Sequence, residues 1–127
     1  MSAVLAGCGA KKGKETAERA VVLFHQRLDG GDFSAIYGAT HPDFKTAASE
    51  KDFVALLAAI HRKLGTVRST SEVGWNVNSF NLKTNVNLTY KTAFTDGDAT
   101  ESFSYRITGS LTELRGYNIN STALITK

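Results

Sequence analysis

At 127 residues and 42% hydrophobic composition, the chain suits one domain burying roughly two thirds of the surface its unfolded form exposes, and no run approaches the ~20 apolar residues of a membrane-spanning helix. The net charge of +3 lies entirely in Lys11, Lys12 and Lys14, because 12 basic and 12 acidic residues balance from Glu15 onward. That balance argues against a nucleic-acid partner, which needs a positive excess, and the single cysteine, Cys8, excludes an intramolecular disulfide.

Taken in chain order, the first feature is Leu5-Ala6-Gly7-Cys8, which resembles a bacterial lipobox. Small residues before the cut fit a narrow peptidase groove, and the cysteine thiol takes the lipid. Gly9 to Lys14 follows as a flexible basic tether, its lysines drawn to an anionic leaflet by about 1 kcal/mol each. A complete signal needs about 7 to 15 apolar residues ahead of the cut. The expectation is therefore a clipped lipoprotein signal and tether over 1–14 and a single α+β domain over 15–127. Lipidation at Cys8 would hold the domain on a cell-envelope membrane, facing the periplasm or the cell exterior.

Ala17, Ala20, Val21, Phe24 and Leu28 recur at helical spacing, and Gly30-Gly31 ends that helix. Asp32 to Gly38 predicts a short second helix, and Pro42 with its neighbours a loop. Ser49 opens a third helix as its cap, with Asp52 answering three residues on. Phe53, Leu56, Leu57, Ile60 and Leu64 form its apolar stripe up to Gly65.

Beyond Gly65 the period becomes two. Val67 to Val77 reads as a strand with Val73, Trp75 and Val77 inward and Ser69 and Ser71 on the same face, followed by a turn over Asn78 to Asn81. Leu82 to Ile107 reads as a hairpin turning at Asp96-Gly97, a dipeptide suited to two central residues with positive φ. Paired numbers then sum to 193, setting Val86 opposite Ile107, Leu88 opposite Tyr105 and Tyr90 opposite Phe103. Gly109-Ser110 is the next turn, and a bulge at Gly116 would bring Leu114, Tyr117 and Ile119 onto one face. The expected fold is α+β: three N-terminal helices packed on one face of a four-stranded antiparallel meander, in a cystatin-like roll. The other sheet face is wet with Asn87, Thr89, Ser102 and Ser104.

From Ala17 to Leu124 this order resembles small bacterial lipoproteins of unknown function with a cystatin-like, or nuclear-transport-factor-two-like, fold. The likeness rests on Leu28-Asp29-Gly30-Gly31-Asp32-Phe33, Phe53 with Leu64-Gly65, Thr89-Tyr90-Lys91-Thr92-Ala93-Phe94 and Leu114-Arg115-Gly116-Tyr117. Thr112 stands where members often carry tryptophan. The resemblance implies a fold and an envelope location but no active site.

An isomerase-type mechanism needs a carboxylate base and a partner acid inside the sheet's bowl. None of the predicted inward residues is acidic, and Glu101 is expected at the rim, opposite Thr92, in water. The bowl therefore reads as hydrocarbon and phenol, suited to holding a molecule rather than transforming it. Its expected lining is Tyr37, His41, Trp75, Tyr90, Phe103, Tyr105 and Tyr117. His25 and His61 sit at the flanks of apolar stripes, and no spacing suggests a metal or another cofactor. The reading is a non-catalytic, membrane-anchored domain that binds a protein partner or a small apolar ligand. Its rivals are a small isomerase or lyase using His41 or Asp43 at the mouth, and a weak homodimer formed through the polar sheet face.

Overall fold

The computed structural model describes residues 2–127, with side chains from Gly9 onward; the side chain of Cys8, the proposed lipidation site, lies outside the described residues. The fold is α+β, with helices followed by an antiparallel meander of strand order β1-β2-β3-β4. Helix α1 (Ser2–Gly30) is followed by α2 (Phe33–Gly38), α3 (Pro42–Ala47) and α4 (Glu50–Leu64). The strands are β1 (Val67–Phe80), β2 (Lys83–Phe94), β3 (Gly97–Thr108) and β4 (Leu111–Asn120), and a short α5 (Thr122–Thr126) closes the chain. Among the described residues, no helix is long and apolar enough to cross a membrane.

Helix α1 ends where the glycine pair required it. Gly31 takes φ +77, and its N–H and that of Asp32 return to the carbonyls of Leu28 and Arg27, satisfying orphan acceptors of the last turn. The Ser49 hydroxyl accepts from the Asp52 N–H at 3.1 Å and so caps α4. At its far end Gly65 turns the chain with φ +80. Leu28, Leu57, Ile60 and Leu64, all fully buried, join the helices to Val86, Leu88 and Phe103 on the sheet. Each such side chain contributes roughly 1.5–3 kcal/mol.

The structure differs from the sequence reading in several places. Gly9 to Lys14 is not a loose tether but part of α1. Gly13 is buried there, so close to the sheet that a Cβ would meet Thr84 at 3.3 Å, and Lys14 is held by Glu18 and Glu72 at 2.8 and 2.9 Å. Pro42 starts a helix rather than a loop, since proline suits a first helical position whose N–H has no partner.

The first strand runs on to Phe80, and the turn is Asn81-Leu82, both with positive φ. A bulge between Glu72 and Gly74 changes parity along β1, so Thr70 and Glu72 share the inner face with Trp75 and Val77 while Ser69 and Ser71 point outward. Finally, the central hairpin turns at Thr95-Asp96, with Phe94 opposite Gly97. Its pairs sum to 191: Val86 faces Tyr105, Leu88 faces Phe103 and Tyr90 faces Glu101. The parity is as read, but the register is displaced by two.

The cause of that displacement is tertiary. Thr95 and Asp96 donate backbone hydrogen bonds to the carbonyls of Thr66 and Leu64, pinning the turn to the end of α4. Gly97 sits so close to Ala123 and Leu64 that a Cβ would fall 2.8 and 3.1 Å from them. The glycine serves close approach rather than the turn. The expected β4 bulge is present but falls at Arg115, one residue before Gly116, which itself pairs with Ser104.

Candidate functional site

The two-residue displacement carries Glu101 inward. It pairs with Tyr90 on one side and Ile119 on the other, and its relative exposure is 0%. Around the carboxylate stand three donors: His25 Nε2 of α1 at 2.7 Å and the Thr92 hydroxyl at 2.6 Å, both on Oε1, and the Tyr117 hydroxyl at 2.5 Å on Oε2. The donors come from α1, β2 and β4, so the acid joins helix to sheet. A buried carboxylate is tolerable because it accepts charge-assisted hydrogen bonds where water is absent. Its bond to His25 assigns the imidazole proton to Nε2.

This corrects the expected bowl of hydrocarbon and phenol: a carboxyl and an imidazole converge within it. The sequence held two signals. Glu101 shares parity with Phe103 and Tyr105, and His25 follows Val21 by four residues on the apolar stripe. Each alone reads as an edge residue; only the true register brings them together.

The surroundings seal the pair. Phe24 and Phe103 meet the His25 ring edge-on, both at 5.8 Å between centroids. Burial, then the Glu101 charge and hydrogen bond, holds the Tyr117 phenol well above its ordinary pKa, so it stays protonated as a donor. Burial likewise raises Tyr105, with Tyr90 adding to it, and raises Tyr90, with Glu72 adding. None of the four principal concavities among the described residues is lined by His25 or Glu101. The cluster has reactive residue types, but none of these four hollows opens onto it.

Of the residues expected to line a ligand cavity, Tyr90, Phe103, Tyr105 and Tyr117 do come together. Phe103 is the hub, with centroid distances of 6.0 Å to Tyr90, 6.2 Å to Tyr105 and 5.2 Å to Tyr117. They form packed core rather than an open wall. Tyr37 donates to the Ala48 carbonyl at 2.8 Å and anchors α2 to the chain after α3. His41 caps α3, its Nδ1 accepting from the Asp43 N–H at 3.0 Å, and Asp43 also meets Arg115 at 3.3 Å. His41 and Asp43 thus spend their polar groups on the start of α3 and on Arg115 of β4. Trp75 stands apart on β1, half exposed, with the Lys14 ammonium 5.2 Å from its ring centroid. The bonds to Glu18 and Glu72 raise the Lys14 pKa, and Lys14 in turn lowers that of Glu18.

The apolar concavity between α1 and the sheet, lined by Phe24, Ile36, Tyr105 and Leu114, is only about 70 Å³. A hollow of about 540 Å³ opens between the start of α1 and the sheet's end, over Lys12, Thr84, Ile107 and Thr112. Others lie on the outer sheet face: about 550 Å³ over Ser69, Ser71, Lys91, Thr100 and Asn120, and about 350 Å³ over Asn87, Thr89, Ser102 and Asn118. This face is a grid of short polar side chains, braced by Asn87 to Asn76 at 2.9 Å and Arg106 to Asn85 at 2.7 Å. Among the described residues no three His, Cys, Asp or Glu side chains could hold a metal ion.

No protein-family model matches the chain, and no curated protein matches it either.

Proposed function

We propose that the chain is a membrane-anchored domain of a bacterial cell envelope, acylated at Cys8, that binds a protein partner through the outer face of its sheet and performs no chemistry. The lipobox-like Leu5-Ala6-Gly7-Cys8 and the resemblance to small cystatin-like lipoproteins support the address. The observation that carries the binding mode is the contrast between the two sheet faces. The centre of the inner face, under Phe24 and Tyr105, is filled to about 70 Å³, well short of the roughly 300 Å³ of a ligand pocket. The larger inner hollow of about 540 Å³ lies at the sheet's end, lined mainly by the polar Lys12, Thr16, Thr84, Ser110 and Thr112. The outer face carries the open polar hollows of about 550 and 350 Å³. A small apolar ligand therefore fits less well than a protein surface with matching hydrogen-bond groups. The absence of large apolar residues from that grid suits a wet, reversible contact.

Two experiments test this reading. Replacing Cys8 by Ala and fractionating cells should move the protein off the membrane; retention there would refute the anchor. A photo-crosslinking residue at Thr89 or Ser102 should capture a partner in cells, and Ser102→Arg should abolish the capture. A crosslinked second copy of the chain would instead establish the homodimer.

One rival reading has an observation in its favour. The buried His25–Glu101 pair with Tyr117 offers an acid, a base and a neutral phenol to an isomerase or lyase. That chemistry requires a substrate path to a carboxylate that is 0% exposed. Trapping of a small molecule beside Glu101 by the native protein, and its loss in Glu101→Gln, would favour the enzyme over the binding domain.

A further inference from the structure

The β1–β2 and β3–β4 turns lie side by side at one end of the sheet, because Lys83 pairs with Thr108 and Thr108 with Leu111. The first described side chains of α1 arrive at the same end. Gly13 packs on Thr84 and Val86, and Gly9 and Lys12 share a hollow with Gly109 and Ser110. Three large apolar side chains project there: Phe80 at 75%, Leu82 at 95% and Leu111 at 55% exposure. Lys83 follows Leu82 directly, Lys12 lines the hollow with Gly109 and Ser110, Lys11 precedes Lys12 on α1, and all three are exposed. No acidic residue occurs between Val73 and Thr95 or between Ser102 and Thr112, so the two turns bear positive charge unopposed from within their own segments.

Leu82 is the most telling of these residues. It occupies φ +64 in a two-residue turn, a position that glycine or asparagine fills without strain. A leucine there is disfavoured by its backbone and by its wet side chain together. Such an outlier points to a role outside the fold.

We propose that this end of the molecule is a membrane-docking edge: Phe80, Leu82 and Leu111 enter the headgroup region of an anionic phospholipid bilayer while Lys11, Lys12 and Lys83 contact its phosphates. Apolar tips with lysines at the same end match the two layers of such an interface, hydrocarbon beneath negative charge. The orientation rests on the anchored reading above, since Cys8 immediately precedes Gly9 at this same end. Acyl chain and hairpin tips would enter one leaflet together, giving the two weak signals that stable attachment takes.

The test uses the full chain carrying Cys8→Ser, which cannot be acylated, and co-sedimentation with vesicles. Mixed phosphatidylglycerol and phosphatidylcholine vesicles should retain the protein, and phosphatidylcholine vesicles should not. Reversing Lys11, Lys12 and Lys83 to Glu should weaken binding at least about fivefold per residue. Phe80→Ser with Leu82→Gly and Leu111→Ser should weaken it by about tenfold or more. Leu82→Gly alone should also weaken binding while leaving thermal stability equal or higher, which separates docking from folding. Unchanged binding in the triple apolar variant, or no binding to anionic vesicles by the Cys8→Ser chain, would overturn the proposal. A fall in solution mass of the triple variant, with vesicle binding intact, would assign the tips to self-association and overturn it equally. The mass of Cys8 peptides from cells tests the anchor separately: failed acylation leaves the vesicle result standing, and failed docking leaves the acylation standing.

Discussion

Glu101 shows how much a single residue's surroundings decide. Its carboxylate is out of water and accepts from His25, Thr92 and Tyr117, so removing it strands three donors at once. Glu101→Ala should destabilise the fold by about 3–5 kcal/mol in denaturant unfolding, as for other broken buried pairs. Glu101→Gln keeps some bonding and should cost about 1–3 kcal/mol. Replacing His25 and Glu101 together by leucine should cost less than the sum of the two single losses by about 1–3 kcal/mol, because neither partner is left stranded. Additive losses would mean that the pair is not coupled. The parity of Glu101 was legible in the sequence, but its depth was not. An acid next to a predicted turn reads as solvated, and nothing local reports that the turn lies one residue earlier, which shifts every pairing by two.

Among the elements, helix ends were legible and hairpin register was not. Gly31 and Ser49 act through neighbours in sequence, so their roles could be read from spacing alone, whereas Gly65, whose place at the end of α4 was equally legible, also makes room for Thr95 of the hairpin turn. The turn at Thr95-Asp96 is fixed by Leu64 and Thr66, some 30 residues away along the chain. Tertiary contact overrode the Asp-Gly signal there. Gly97→Ala should therefore destabilise by overpacking against Ala123 and Leu64, by about 1–3 kcal/mol. A thermal melt showing no loss would contradict the close approach. Ser49→Ala should cost about 1 kcal/mol through the lost cap of α4. The β1 bulge was equally silent in sequence, since Val73 satisfies alternation by itself and only pairing with β2 reveals the parity change.

For the whole molecule, the interior tyrosines predict its response to alkali. Tyr90, Tyr105 and Tyr117 are all held above the ordinary phenol pKa, chiefly by burial. Above pH of about 10 the unfolded chain releases phenolic protons that the folded chain retains, so the unfolded state binds fewer protons and stability falls as pH rises. Each such phenol can steepen the loss by up to about 1.4 kcal/mol per pH unit. Tyrosinate absorbance should appear for these residues only together with loss of the folded circular-dichroism signal. Tyr117→Phe should remove its share of the alkaline slope. The layered α+β plan and the polar sheet face were visible from periodicity, because they depend on which residues alternate rather than on where pairing begins.

Helix α1 has a mechanical consequence. The element that brings Gly9 and Lys12 to the hairpin tips also carries Phe24, His25 and Leu28 into the core without interruption. A domain held at that end has no swivel: a pull on the N-terminal end would load the helix lengthwise against the sheet. Such shear is shared by many contacts at once, whereas a load across the strands would open them row by row.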